Sequence, residues 1–265
     1  MAYPADPLEL RSAVDALLPS PSARVALGLL LPHGPLHYCG AVAAAALTLG
    51  ACDETAVVLA PNHAARGPRA SIAADGSWAI PGAIVPVDER LAESIRGLGA
   101  LHEAPEVVAS ESAIETLLPL LLASCPRLSL VPILLHDIGP SAAARIGGAI
   151  ADAIVGRGGG ASIVVTSDLV HYADPAEAEA IGAELLAHFV ALDADGLEGA
   201  LDGLRGRPGL GLETCGASAL LTAIHALRAL GSAFGIVAAR ATSATVAGER
   251  GRCVAYGSAV FTRAG

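Results

Sequence analysis

Short, uninterrupted apolar runs alternate along this chain with longer stretches of helical period, the arrangement of buried strands joined by crossover helices. The clearest strand signals lie at residues 24–31, 55–59, 128–135 and 162–166. Helical patterns fill 7–18, 41–49, 87–98, 112–124, 141–155, 175–191 and 217–230. Two further apolar runs, 234–242 and 253–262, close the chain as strands. Strands without polar alternation are covered on both faces. The expected fold is therefore α/β: a three-layer αβα single domain, residues 1–265, around a mostly parallel mixed sheet. Residues 75–85 hold Gly76, Pro81, Gly82 and the sole tryptophan, Trp78, and read as a hairpin or excursion between elements. The glycine cluster at 156–160 follows a helix and precedes a strand, the reverse of a phosphate-cradling loop, so it reads as a helix C-cap and loop.

Composition narrows the function classes. With 265 residues, 53% of them hydrophobic, the chain can fill a sizeable core. Mean hydropathy is +0.57, yet no run approaches the roughly 20 apolar residues of a membrane-spanning helix. The richest stretch, 41–49, is broken by Thr48 and followed by Gly50, Asp53 and Glu54. The first ten residues carry two prolines and two acids and lack the basic and apolar regions of a signal peptide, so the expected location is cytoplasmic, with no membrane partner. A formal net charge of -10 with scattered basic residues argues against a nucleic-acid partner. Cys39, Cys52, Cys125, Cys215 and Cys253 are odd in number, widely spaced and without a C-x-x-C pair, which argues against a disulfide framework.

Candidate chemistry collects where strands end. One runs through Leu31 to Pro32 and His33; a second runs through Ala60 to Pro61, Asn62 and His63; a third runs through Thr166 to Ser167, Asp168 and His171. In an open parallel sheet the carboxyl ends of the strands share the edge where ligands bind, so three histidines are expected to converge there. Proline supports this reading, because it cannot donate a ladder hydrogen bond and ends a central strand just before the histidine. Imidazole both ligates transition metals and titrates near neutrality, so the cluster suits metal binding, acid/base work, or both. A fourth strand ends in His136 and Asp137, which makes His136 a competitor. Cys215 directly precedes the helix at 217–230, whose positive end is expected to lower its thiol pKa. Simple packing is the other reading of Cys215.

These motifs, in this order, resemble the Memo family, whose bacterial and archaeal members are often named AmmeMemoRadiSam system protein B. Pro32-His33 with Tyr38 and Gly40 is similar to the family's Pro-His-Ala-Gly-Tyr-x-Tyr-Ser-Gly, and Ala60-Pro61-Asn62-His63 to its Gly-Pro-Ser-His. Ser167-Asp168-Leu169-Val170-His171-Tyr172 is similar to Ser-Ser-Asp-Leu-Ser-His-Tyr, and Cys215-Gly216 matches directly. Trp78 to Pro81, Val85 to Glu89, Ile114-Glu115, Val131 to Ile133, Thr242-Ser243 and Val254 to Tyr256 extend the match over nearly the whole chain. Ser112 stands where the family has a histidine, Ala244-Thr245 where it has Gly-Asp, and Cys39 where it has serine.

The resemblance implies the fold of class III extradiol (LigB-type) dioxygenases and a metal triad of His33, His63 and Cys215, with cysteine in place of the dioxygenase glutamate. It places His171 as the acid/base group and leaves His136 without a counterpart. Fe(II) is the implied metal, with Cu or Zn as alternatives for a thiolate site. The implied partner is a small-molecule, catechol-like substrate. Two other readings stand beside this one: a metal-binding or adaptor protein without turnover, and a Zn-dependent hydrolase in which His171 or Asp168 is the general base. Glu213 is the fallback ligand that would restore a carboxylate.

Overall fold

The computed structural model of the chain describes residues 2–205, 214–248 and 251–263. In chain order the strands are β1 (Gly28–Leu31), β2 (Thr55–Pro61), β3 (Ala70–Ile72), β4 (Ser77–Ile80), β5 (Ala83–Pro86), β6 (His102–Glu103), β7 (Ser129–Leu135), β8 (Ser162–Thr166), β9 (Val170–Ala173), β10 (Gly235–Thr242) and β11 (Cys253–Phe261). The helices are α1 (Pro7–Leu17), α2 (Leu36–Leu49), α3 (Glu89–Gly97), α4 (Pro105–Ala109), α5 (Ser112–Glu115), α6 (Leu118–Ser124), α7 (Pro140–Gly156), α8 (Pro175–Val190), α9 (Ala194–Leu204), α10 (Ala217–Ala229) and α11 (Ser243–Ala247).

One nine-stranded sheet runs in the order β10-β11-β1-β8-β2-β7-β3-β6, with β9 also pairing β11. Its centre, β1-β8-β2-β7, is parallel throughout. β11 and then β10 add antiparallel beyond β1, and β3 adds antiparallel beyond β7. β4 and β5 form a separate hairpin inside the 75–85 excursion and its immediate flank. The period of two in each central strand splits the core. Leu30, Val57 and Leu59 face the layer built by α3 and α7–α10, whereas Leu29, Leu31, Val58 and Ala60 face the layer of α1, α2 and α4–α6. The result is the expected αβα sandwich. Among the described residues no helix is long and apolar enough to cross a membrane.

Local chemistry explains where the elements differ from the sequence pattern. The single helix expected over 112–124 is two, α5 and α6, because Pro119 enters the first turn of α6 and cannot continue a preceding helix. The strand expected from 24 starts only at Gly28; Val25 makes a lone bridge with Ala51. α2 starts five residues earlier than the apolar run at 41, on Leu36 behind Pro35. Short elements (β3, β6, β9, α4 and α11) fall below what periodicity resolves. α9 was hidden by Gly196, Gly199 and Gly203. Pro132 lies inside β7, an interior strand, yet costs no ladder bond. On the β3 side no strand partner is registered with Pro132, which falls between the Leu130–Val87 bridge and the Ile133–Ile72 pair.

α7 and α10 pack through a glycine. A Cβ on Gly147 would stand 2.6 Å from Thr222 O and 2.9 Å from Ala226 N, whereas one on Gly148 meets nothing within 4 Å. Two neighbouring substitutions should therefore have opposite signs. Gly147→Ala is expected to destabilise by about 1–3 kcal/mol through overpacking, and Gly148→Ala to stabilise by about 0.5–1 kcal/mol through helix propensity. Urea denaturation of both variants measures this; shifts of the same sign would contradict the packing described.

Candidate metal centre

β1, β8 and β2 are adjacent and parallel, so the chain leaves all three at one edge. Pro32-His33 follows β1, Asn62-His63 follows β2, and Ser167-Asp168 follows β8 between them. Cys215 reaches the same edge from the start of α10. Its approach depends on Gly216: a Cβ there would lie 2.5 Å from Ser167 Cβ and 2.7 Å from Thr166 O. Gly216 N–H donates to Ser167 Oγ at 3.0 Å, which fixes the approach. Asp168 N–H in turn donates to Cys215 Sγ at 3.4 Å. His33 Nε2 is 3.4 Å from the same sulfur, and the His33 and His63 rings stand edge to face at 5.1 Å. One ligand atom from each of His33, His63 and Cys215 lies within 4.8 Å of the other two.

The hydrogen bonds around the two imidazoles settle their tautomers. Thr166 Oγ1 gives its only proton to Leu31 O at 2.7 Å, so at 2.9 Å from His33 Nδ1 it must accept. His33 therefore carries its proton on Nδ1 and turns the Nε2 lone pair toward Cys215. Glu111 acts likewise on His63: Oε1 accepts from Nδ1 at 2.9 Å and Oε2 from the backbone N–H at 2.9 Å. Ala113 N–H adds a third bond to Oε1 at 3.0 Å. The side chain of His63 is 44% exposed and that of Glu111 only 6%, so a buried carboxylate holds an otherwise loose ligand in place. Such partners orient metal-binding histidines and raise their basicity.

The electrostatics correct one expectation. Burial, followed by the Asp168 carboxylate, pushes the Cys215 thiol up to about 12, the opposite of what a helix N-terminus alone would do. The dipole is outweighed because the sulfur is desolvated beside a negative charge. Burial also leads in holding His33 below the ordinary imidazole value, aided by His63 and His171 against the pull of Asp168 and Glu111. Burial pushes Asp168 up, but His33 and His171 more than offset it and keep the carboxyl below its usual range. Glu111 follows the same pattern, with its bonds from His63 and Ala113 overcoming burial. Two imidazole nitrogens and one thiol sulfur, all converging, fit a borderline or soft transition metal. A cation there would supply the positive charge that a thiolate at Cys215 needs.

Of the other residues singled out in the sequence, His171 and Asp168 reach the centre and His136 does not join it. Asp168 Oδ1 accepts from His33 N–H at 3.2 Å, and Oδ2 faces His171 Nε2 at 3.5 Å. The three-histidine cluster expected from strand ends is thus divided: His171, on β9, stands behind Asp168 rather than among the three close ligand atoms. His136 ends β7, with its backbone N–H bonded to Arg69 O at 2.9 Å. Glu213 lies outside the described residues. Ser112 is exposed at the start of α5 beside Glu111, and Ala244-Thr245 sits in α11, where Thr242 Oγ1 caps Thr245 N–H at 3.1 Å. Glu111 and Thr166 were missed as site residues; nothing local in the sequence marks either as a histidine partner.

The family's sequence model, described as Memo-like protein, matches residues 1–260. The chain belongs to the Memo family. A MEMO1 family protein of Methanothermobacter thermautotrophicus is 29% identical over 268 residues, covering 96% of this chain and 95% of that protein. One from Methanopyrus kandleri is 27% identical, covering 98% and 96%. One from Caldivirga maquilingensis is 30% identical, covering 89% and 83%. The crystal structure of the uncharacterized protein JW3007 from Escherichia coli K12 superimposes with a TM-score of 0.58 at 13% identity, over 88% of this chain and 98% of that one, a likeness of fold alone. In this Memo-family chain, the segments Pro32-His33, Asn62-His63, Ser167-Asp168 and Cys215-Gly216 are the ones that meet at the sheet edge.

If Glu111 orients His63, Glu111→Gln should weaken cobalt(II) or zinc binding about 10–100-fold while leaving the fold intact. Competition titration against a chelator, with circular dichroism as the fold check, measures it. Unchanged affinity would mean that His63 needs no carboxylate partner.

Proposed function

We propose that this chain holds one transition-metal ion between His33, His63 and Cys215 and acts as a redox protein with a dioxygenase-like site, Fe(II) being the first choice of metal. The observation that carries this reading is the convergence of three ligand atoms within 4.8 Å with the free lone pair of His33 fixed toward the sulfur. When bound, such an ion supplies open coordination positions for a chelating substrate and for dioxygen.

The chain's own residues supply the rest. Thr166 and Glu111 each engage the Nδ1 of one imidazole, which leaves the Nε2 of each to bind the ion. Exposure of His63 leaves one side open for a small, catechol-like molecule to approach, while Glu111 on its other side is buried. Asp168 holds His171 at Nε2, an arrangement that lets the imidazole take a proton from a substrate hydroxyl and stabilises the imidazolium that results. The cysteine favours a second reading, metal binding without turnover, because a thiolate is soft, oxidisable and well suited to Cu or Zn. All five cysteines are free, which suits a reducing compartment, and we take the cytoplasm as the location.

Metal analysis of anaerobically purified protein, followed by oxygen uptake with catechols, tests the proposal. Iron together with catechol-dependent uptake that falls about 10²–10⁴-fold in His171→Ala supports the redox enzyme. Iron or copper without uptake supports the binding role, and zinc alone a hydrolase. The metal site itself is overturned if His33→Ala, His63→Ala and Cys215→Ala retain as much metal as the wild type.

A further inference from the structure

β9 carries one residue more than the strand it pairs with. Ala173 faces Cys253 and Val170 faces Ala255, so His171 and Tyr172 together oppose the single residue Val254. This is a β-bulge, an insertion that bends a strand and re-aims its side chains. Val254 N–H is taken up by Ser243 Oγ at 3.1 Å. Tyr172 completes the bulge in the left-handed region, at φ +59°. Glycine adopts that conformation freely, whereas the Cβ of a tyrosine crowds the backbone there.

The fold gains little from keeping a tyrosine at this strained position. Its side chain belongs to neither core layer, and the residue is 59% exposed. What it does have is a functional neighbourhood. The ring centroid is 6.0 Å from that of His171, His171 Nε2 is 3.5 Å from Asp168 Oδ2, and Asp168 N–H bonds the Cys215 sulfur. Strain retained beside such groups, with no packing to account for it, marks a part of the working site.

We propose that Tyr172 is a substrate-contacting residue, its exposed ring forming the wall on which a planar aromatic ring rests while the hydroxyls of that ring reach the metal centre. The inference rests on the function proposed above and adds a selectivity element to it. A flat π-face favours an aromatic ring in an offset or edge-on arrangement over an aliphatic diol. The bulge ties this contact to the proton-transfer group, since the same inserted residue sets the aim of His171 and the stance of Tyr172.

Tyr172→Ala removes the ring and keeps the Cβ, Tyr172→Phe keeps the ring, and Tyr172→Gly removes both. Binding of catechol, and of phenol as a ring that cannot chelate, is measured anaerobically by calorimetry on iron-loaded protein, with iron content and melting temperature recorded for each variant. The Ala and Gly variants should bind both probes about two- to ten-fold more weakly, with iron content unchanged, while Phe binds as the wild type does. The Gly variant should melt no lower than the wild type. Equal affinities across all four proteins, a wild type that binds neither probe, or a Gly variant that melts well below wild type would overturn the inference. Iron content reports separately on the metal site: equal affinities across all four proteins with iron retained sink the Tyr172 contact alone.

Discussion

Parallel pairing of β1, β8 and β2 brings three chain exits to one edge of the sheet's buried centre, and the candidate site depends on it. Because each central strand is covered on both faces, its polar chemistry cannot sit within the strand and is displaced to the residues just beyond it. His33, His63 and Asp168 occupy those positions. The fourth contributor, Cys215, comes from outside the sheet and reaches the edge because Gly216 lets the start of α10 press against Ser167 and Thr166. The site is therefore a joint between a sheet edge and a helix start.

Around that joint lies a set of buried polar groups whose hydrogen bonds reach the candidate ligands. Glu111 binds His63 twice, Thr166 relays a bond from Leu31 to His33, and Asp168 touches His33, His171 and Cys215. Burying carboxylates is costly unless they are well bonded, and here bonded histidines and backbone N–H groups keep both in their charged form. Apart from the cap that Glu111 places on α5 through Ala113 N–H, these bonds are directed at His33, His63 and Cys215. Preorganised donors with fixed tautomers gain a great deal from such an arrangement when a cation binds.

The contrast with the rest of the molecule is chemical. Both core layers are built mostly from Ala, Val, Leu and Ile, with glycine admitted where helices must meet closely, as α7 meets α10 at Gly147. There the rules of packing suffice. At the edge they are broken in specific places: a thiol desolvated beside a carboxylate, an exposed imidazole clamped from below, a tyrosine in the left-handed region. Departures of this kind concentrate where function, rather than stability, selects the residue.

The sequence by itself determined the layers and most of the candidate ligands. Uninterrupted apolar runs can only be buried strands, and proline followed by histidine after two of them placed His33 and His63 at the carboxyl edge, since strand ends are local features. The long helices were legible for the same reason, whereas Pro119 split one of them and the glycines of α9 concealed another. Tertiary structure decided what depends on distant partners. Glu111 stands 48 residues from His63 and meets it only when α5 packs below the edge. The Cys215 thiol follows its burial and the nearby Asp168 rather than its helix, and neither is local. His171 and Tyr172 acquire their bulge from β11, some eighty residues downstream. A site assembled from chain exits can be read from sequence as far as its ligands, but the groups that orient them are chosen by packing.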